Sequence, residues 1–190
     1  DMYRLGEEVE KDGKKALSLY RKAEEMHSRE ALTSIGFMYY AGQGVDFDEG
    51  KAFSYFRKAA GAGDLDALFM MGRCYMEGSA VEKDDRKAAD CFKETADRGY
   101  PMGMWALGQS YLHGIGVQRD EKKAVALYQK AAGMNLAAAY SALAQCYRYG
   151  AGVAEDKAAA VEMYKRAFAL GQGLAADEIG TCLLYTSPSP

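Results

Sequence analysis

The stretch Leu107-Gly-Gln-Ser-Tyr-Leu-His-Gly-Ile-Gly-Val-Gln-Arg-Asp-Glu-Lys-Lys-Ala-Val-Ala-Leu-Tyr-Gln-Lys-Ala-Ala132 decides the fold, because its landmarks recur along the chain at a fixed step of 36 residues. Tyr111 belongs to a column with Tyr39, Tyr75 and Tyr147. Gly114 belongs with Gly42, Gly78 and Gly150, and Val117 with Val45, Val81 and Val153. Asp120 and Ala124 have counterparts at Asp48, Asp84 and Asp156 and at Ala52, Ala88 and Ala160. One more step back lands on Tyr3, Gly6, Val9, Asp12 and Ala16, and no insertion or deletion breaks the register between Tyr3 and Gly180. Self-similarity at a period of roughly 20–50 residues marks an array of stacked supersecondary units.

Each column answers a physical requirement. Ala67, Met71 and Tyr75 fall at i, i+4 and i+8, an apolar stripe at helical period on a first helix. Gly36, Gly72 and Gly108, with Ala144 in the same column, sit beside that stripe, where a missing side chain admits a close neighbour. The Gly42-x-Gly44-Val45 element and its copies end the first helix and turn the chain, since glycine reaches positive φ without steric cost. Asp48 and its equivalents then supply an acceptor to the unsatisfied amides that open a second helix. That helix carries Ala52, Phe56, Ala59 and Ala60, and closes at Gly63, Gly99, Asn135 and Gly171. The Tyr75-type and Phe56-type rings are expected to fill the gaps between repeats. One helix pair cannot bury its apolar face alone, but stacked neighbours bury it for one another.

The expected fold class is therefore all-α: an α-solenoid of about five stacked 36-residue helix-turn-helix repeats, a tetratricopeptide-like right-handed superhelix without strands. One domain is expected over 1–181, with a partial copy at about 1–30, full copies at 31–66, 67–102, 103–138 and 139–174, and a partial copy at 175–181. Residues 182–190 leave the pattern and resemble a translated sequencing adapter, with Pro188 and Pro190 opposing a helix. Both ends of the chain are expected to cut through repeats.

The pattern Ala-x-x-x-Leu-Gly-x-x-Tyr-x-x-Gly-x-Gly-Val-x-x-Asp-x-x-Lys-Ala-x-x-x-Tyr-x-Lys-Ala-Ala resembles the Sel-one-like repeat, a relative of the tetratricopeptide repeat. The resemblance covers residues 3–181, and Leu107 to Ala132 match it at nearly every position. The first copy departs from it at Glu8 and at Met26-His27, and Ala80 and Ala144 are milder departures. The resemblance implies an adaptor that assembles other proteins. One branch of the family carries paired cysteines in each repeat and has been linked to β-lactam binding or hydrolysis. This chain has only Cys74, Cys91, Cys146 and Cys182, none of them in such a pair. Cys74 and Cys146 share a column two repeats apart, which places them roughly 20 Å from each other against a disulfide reach of about 7 Å. They read as small buried hydrophobes.

Composition points the same way. Of 190 residues, 49% are hydrophobic and 27% charged, ordinary for a folded chain, and a net charge of −3 offers no basic patch for phosphates. Nucleic acid is not an expected partner, and no run reaches the roughly 20 apolar residues of a membrane span. Catalytic and cofactor chemistry find no constellation. The Gly-x-Gly turns lack the strand and further residues of a phosphate loop. His27 and His113 lie in different repeats without ligand-type partners, so no metal or cofactor is expected. Asp84-Asp85 and Asp120-Glu121 open helices, where the dipole favours negative charge.

The non-repeating columns carry the functional expectation. At about 100° per residue, the side of the first helix opposite the stripe holds Thr33, Phe37 and Tyr40, then Phe69, Arg73 and Met76, then Trp105, Gln109 and Leu112, then Ser141, Gln145 and Arg148. In such a solenoid the first helices line the concave face. Phe37, Tyr40, Phe69, Arg73, Met76, Trp105, Gln109, Leu112, Gln145 and Arg148 are thus the candidate partner-binding set, rich in the residue types of binding hot spots. A competing reading packs Phe37, Phe69 and Trp105 between adjacent first helices. The expected function is a non-catalytic adaptor for a protein or peptide segment. The alternatives are the accessory repeats of a longer protein and, further off, a β-lactam-processing enzyme. Partner identity, compartment and oligomeric state are not written in any motif.

Overall fold

The computed structural model describes residues 12–26 and 28–171. Among them are nine α-helices, each of 13 residues, and no strand. They are α1 (Gly13–Glu25), α2 (Arg29–Ala41), α3 (Glu49–Gly61), α4 (Leu65–Glu77), α5 (Asp85–Asp97), α6 (Pro101–His113), α7 (Glu121–Gly133), α8 (Ala137–Tyr149) and α9 (Lys157–Ala169). The fold is the all-α helical-repeat class that the 36-residue register predicts. The register positions Tyr3 to Val9, His27, the partial copy 175–181 and the tail 182–190 fall outside the described residues.

Helix ends follow the predicted chemistry. First helices stop on Gly42, Gly78, Gly114 and Gly150, all left-handed with φ between 64° and 74°. The next backbone N–H of each reaches back into the last turn, as Gln43 N donates to Met38 O at 2.9 Å and Ala151 N to Cys146 O at 3.0 Å. Ala80 stands in the second turn-glycine column with φ +65°, a conformation disfavoured for a residue with a Cβ. Asn135 does the same at the end of α7, φ +61°, where a short polar side chain is tolerated better.

Second helices open on the aspartate column, and a four-part joint recurs there. The Asp backbone N–H donates to the preceding tyrosine carbonyl, at 3.0 Å for Asp48–Tyr39, 2.9 Å for Asp84–Tyr75 and Asp120–Tyr111, and 2.8 Å for Asp156–Tyr147. The carboxylate accepts from the amide three residues on, at 2.8 Å from Lys51, 2.9 Å from Lys87 and 3.0 Å from Lys123. Those lysines fold back onto the same carboxylates at 3.0, 3.1 and 3.2 Å. Their ammonium groups also lie 5.3–5.4 Å from the centroids of Tyr39, Tyr75 and Tyr111. The paired acids at 84–85 therefore do structural work: Asp84 caps, and Asp85 pairs with Lys83 at 3.4 Å.

The Lys51, Lys87 and Lys123 amides, aided by the lysine side chains, hold the carboxyls of Asp48, Asp84 and Asp120 below their ordinary range. A depressed folded-state pKa adds stability above the unfolded carboxylate pKa, and that contribution is lost as pH falls through the folded value. Asp120→Ala should therefore lower Tm by a few degrees at pH 7. The gap to wild type should close progressively below about pH 4, where the unfolded-state carboxyl also takes its proton. Thermal melts at several pH values read this directly, and a gap independent of pH would refute the cap.

The chain divides into two compact units, Asp1–Cys91 and Phe92–Pro190, and the division falls inside α5. In the first unit α2 packs on α1 and α3, α3 on α4, and α2 touches α4. In the second unit α6 packs on α7, α7 on α8 and α8 on α9. Gly36 and Gly108, beside the stripe, each make room for an aromatic ring. A Cβ on Gly36 would lie 2.7 Å from Phe56 Cε1, and one on Gly108 would overlap the Tyr128 ring. Phe56 and Tyr128 are fully buried, and each glycine–ring contact joins the two helices of one repeat. Tyr128 also belongs to one buried cluster with Ala139, Leu143 and Cys146 of the following first helix, so the ring fills space within its repeat as well as between repeats.

The stripe is buried at one end and broader than expected. Of the expected stripe, Ala67 and its counterparts Ala31 and Ala139 are buried, as are Ile35, Met38, Met70, Cys74, Ser110 and Cys146 beside it, while Met71 and the tyrosines Tyr75, Tyr111 and Tyr147 are half-buried. The tyrosines still face second helices, as Tyr39 stacks on Tyr55 at 5.8 Å and Tyr75 meets Phe53 edge-on at 5.6 Å. Their outer faces are what the lysines cover. The thiols of Cys74 and Cys146 are buried and unbridged, and burial raises both pKa values, that of Cys146 to about 11.

Candidate binding faces of the first helices

In the first unit, the candidate residues of α2 and α4 come together. Arg73 Nη2 donates to Glu77 Oε1 at 2.6 Å and reaches the Tyr40 hydroxyl at 3.4 Å, and its Nε donates to Glu77 Oε1 at 3.1 Å. The guanidinium carbon lies 5.9 Å from the Tyr40 ring centroid. Beneath it, Phe37 meets Phe56 edge-on at 5.2 Å, and the Tyr40 ring lies 6.5 Å from that of Phe56. Desolvation works against the Arg73 charge, but Glu77 outweighs it and keeps the guanidinium pKa above its ordinary value. Met76 is exposed at the edge of the same face, whereas Phe69 is only 7% exposed.

In the second unit, Trp105 is half-buried and packs, with Leu112, on the core formed by Ala124, Tyr128, Ala139 and Leu143. Gln109 and Arg148 are half-buried and Gln145 is exposed. Leu112 and Gln145 line a cavity of about 330 Å³, together with His113, Arg119, Glu121, Cys146, Tyr149 and Ala151. Arg119 pairs with Glu121 Oε1, and Glu121 Oε2 accepts the Gly152 N–H at 2.9 Å. Tyr149 is 70% exposed, with the Arg148 guanidinium 5.3 Å from its ring centroid.

One spacing governs both places: Tyr40 and Arg73, like Leu112 and Gln145, are 33 residues apart. The end of one first helix thus meets the middle of the next. The column of Thr33, Phe69, Trp105 and Ser141 is the more buried part of the face, with Thr33 bonded to Arg29 O at 3.3 Å. The accessible part is built from the two columns of Arg73 and Met76. Sequence reasoning missed His113, Arg119, Glu121, Cys146, Tyr149 and Ala151. The signal for three of them was present, because the columns Ala41, Glu77, His113, Tyr149 and Phe47, Lys83, Arg119, Glu155 vary as freely as the chosen ones. Among the described residues, no group of three or more His, Cys, Asp or Glu is placed to hold a metal ion, and no helix is long and apolar enough to cross a membrane.

The family model described as Sel1 repeat matches residues 1–28, 29–64, 65–100, 101–136 and 137–172. Each of the last four matches begins where a first helix begins. A Sel1 repeat protein from Oxalobacter formigenes is 34% identical, with a TM-score of 0.86 over 95% of this chain and 74% of that one. The protective antigen c5321 of uropathogenic Escherichia coli, which displays the same repeat fold, is 29% identical, with a TM-score of 0.80 over 96% of this chain and 39% of its own. Cysteine-rich protein B of Helicobacter pylori is 30% identical, with a TM-score of 0.54 over 70% of this chain and 96% of its own. No curated protein matches the chain.

Proposed function

Because this chain belongs to the Sel1 repeat family, whose members are generally protein-interaction scaffolds, we propose that it is a non-catalytic adaptor that holds a protein or peptide segment against the first helices of its repeats. The supporting observation is the contact between neighbouring first helices at the 33-residue spacing. It sets Tyr40 beside Arg73, and Leu112 beside Gln145, on the face whose residues differ from repeat to repeat. The columns that repeat are occupied by capping, turning and ring packing, which leaves the exposed non-repeating positions such as Met76 and Gln145 to differ with a partner. Arginine and aromatic side chains supply most of the energy at such surfaces.

The test uses a partner isolated by affinity capture with the full chain, followed by titration of the purified pair. Arg73→Glu puts a carboxylate beside Glu77 and removes the guanidinium. It should weaken binding roughly tenfold or more, about 1.4 kcal/mol. Lys93→Glu, an exposed change on a second helix, should leave the affinity unaltered. Equal loss from both variants, or loss from Lys93→Glu alone, would move the binding face elsewhere.

A further inference from the structure

The residues that line the cavity in the second unit have counterparts in the first. Stepping back 72 residues turns Leu112, Gln145 and Tyr149 into Tyr40, Arg73 and Glu77. There the Arg73 side chain is bonded to Glu77 and lies over Tyr40. In the second unit the shorter Gln145 and Leu112 leave about 330 Å³ open at the same position. The charges differ as well. Glu77 has become Tyr149, Ala41 has become His113, and Phe47 has become Arg119.

We propose that this cavity receives the acidic side chain, Asp or Glu, of the segment bound along the first helices. The proposal rests on the adaptor reading above and names what the segment presents at one point. The donor balance argues for an acceptor guest. Both carboxylate oxygens of Glu121 are engaged, one by Arg119 and the other by the Gly152 amide. Glu121 therefore anchors Arg119 at the rim, with its charge already offset by that guanidinium. Arg119 is largely exposed and is a donor-only group with five N–H bonds, of which this pairing uses part. The Gln145 amide, a ring N–H of His113 and the Tyr149 hydroxyl add donors around the opening. Leu112, Ala151 and the Tyr149 ring supply an apolar wall for the methylenes of the guest. A carboxylate is the guest that such a donor set rewards most, through charge-assisted bonds to arginine.

The test is an NMR titration of the full chain with three blocked peptides: N-acetyl-Leu-Glu-Leu-amide, the same peptide with Gln, and the same with Lys. A fourth arm is N-acetyl-Leu-Gln-Leu with a free C-terminal carboxylate. The Glu peptide should shift the Arg119 Nε–H and the Gln145 side-chain amide saturably, and bind at least tenfold tighter than the Gln and Lys peptides. Arg119→Gln should abolish that preference while leaving Tm unchanged. Several results would overturn the proposal. They are equal binding of the Glu and Gln peptides, preference for Lys, no binding of the Glu peptide, or binding only of the free carboxylate, which would assign the cavity to a chain end. Shifts on the first-helix face around Leu112 without a Glu preference sink this proposal and leave the adaptor reading standing. Shifts confined to second helices sink both.

Discussion

Phe56→Ala should lower the stability of the chain by about 3–5 kcal/mol, the range for deleting a buried aromatic side chain. Phe56 has no exposed surface. Its ring closes on Gly36 so tightly that a single added carbon there would come within 2.7 Å, so the ring occupies space that no other side chain can reach. Truncation leaves a void between α2 and α3 that glycine cannot fill. It also removes the edge contact to Phe37 at 5.2 Å and the support beneath Tyr40, on which Arg73 rests. The loss should appear as a lowered denaturation midpoint. Phe168→Ala, at an aromatic that is 53% exposed, should stay within about 0.5 kcal/mol of wild type. Similar costs for the two substitutions would contradict the packing assigned to the ring column.

The second large effect is a coupling. At Gly103 an added Cβ would overlap Thr95 Oγ1 and lie 2.7 Å from Thr95 Cβ and 3.0 Å from the Ala96 backbone nitrogen. Thr95 is fully buried, its hydroxyl bonded to Phe92 O at 2.9 Å. The other copies hold alanine at both positions, Ala59 with Ala67 and Ala131 with Ala139. One repeat has thus exchanged an alanine pair for threonine and glycine, moving volume across the contact between α5 and α6. Gly103→Ala alone should cost about 1–3 kcal/mol through overpacking, even though alanine is the better helix former. Thr95→Ala alone should also destabilise, by leaving a void beside glycine. The double variant should return to wild-type stability or exceed it, because it restores the alanine pair and gains up to about 1 kcal/mol of helix propensity. A double-mutant cycle with a coupling energy of about 2 kcal/mol or more is expected, and additive single effects would refute the contact.

These two cases show what could be read from residues alone. Helix ends were legible because their causes are local: an aspartate caps the amide three residues on, and a glycine ends the preceding helix, whatever surrounds them. Asp120 and Gly114 act as their spacing implies. The partners of Phe56 were less legible. Periodicity assigns it to a buried stripe but does not say whether Gly36 of its own repeat or a residue of the next one lies opposite. The tyrosine column is core at Tyr39 but only half-buried at Tyr75 and Tyr111, and all three rings also carry a lysine, Lys51, Lys87 or Lys123. That role depends on the path of the turn between helices, which no helical wheel contains.

The candidate face divides for the same reason. Phe69 and Arg73 lie one turn apart on the same side of α4, but Phe69 is buried while Arg73 reaches Tyr40 and Glu77. Angle on a helix fixes direction, and the approach of neighbouring side chains fixes exposure. The cavity beside Gln145 was the least legible feature. It arises because two residues 33 apart are both smaller than their counterparts, and its rim is completed by Arg119 and Glu121 from a turn and a helix start. Which residues lie side by side across two repeats is tertiary information.

The central claim is that a partner lies on the first helices. Amide hydrogen exchange on the full chain, with and without the captured partner, tests it most directly. New protection should concentrate in α2, α4, α6 and α8, around Tyr40, Arg73, Leu112 and Gln145, and leave the exposed sides of α3, α5, α7 and α9 unchanged. Protection confined to those second helices would contradict the account.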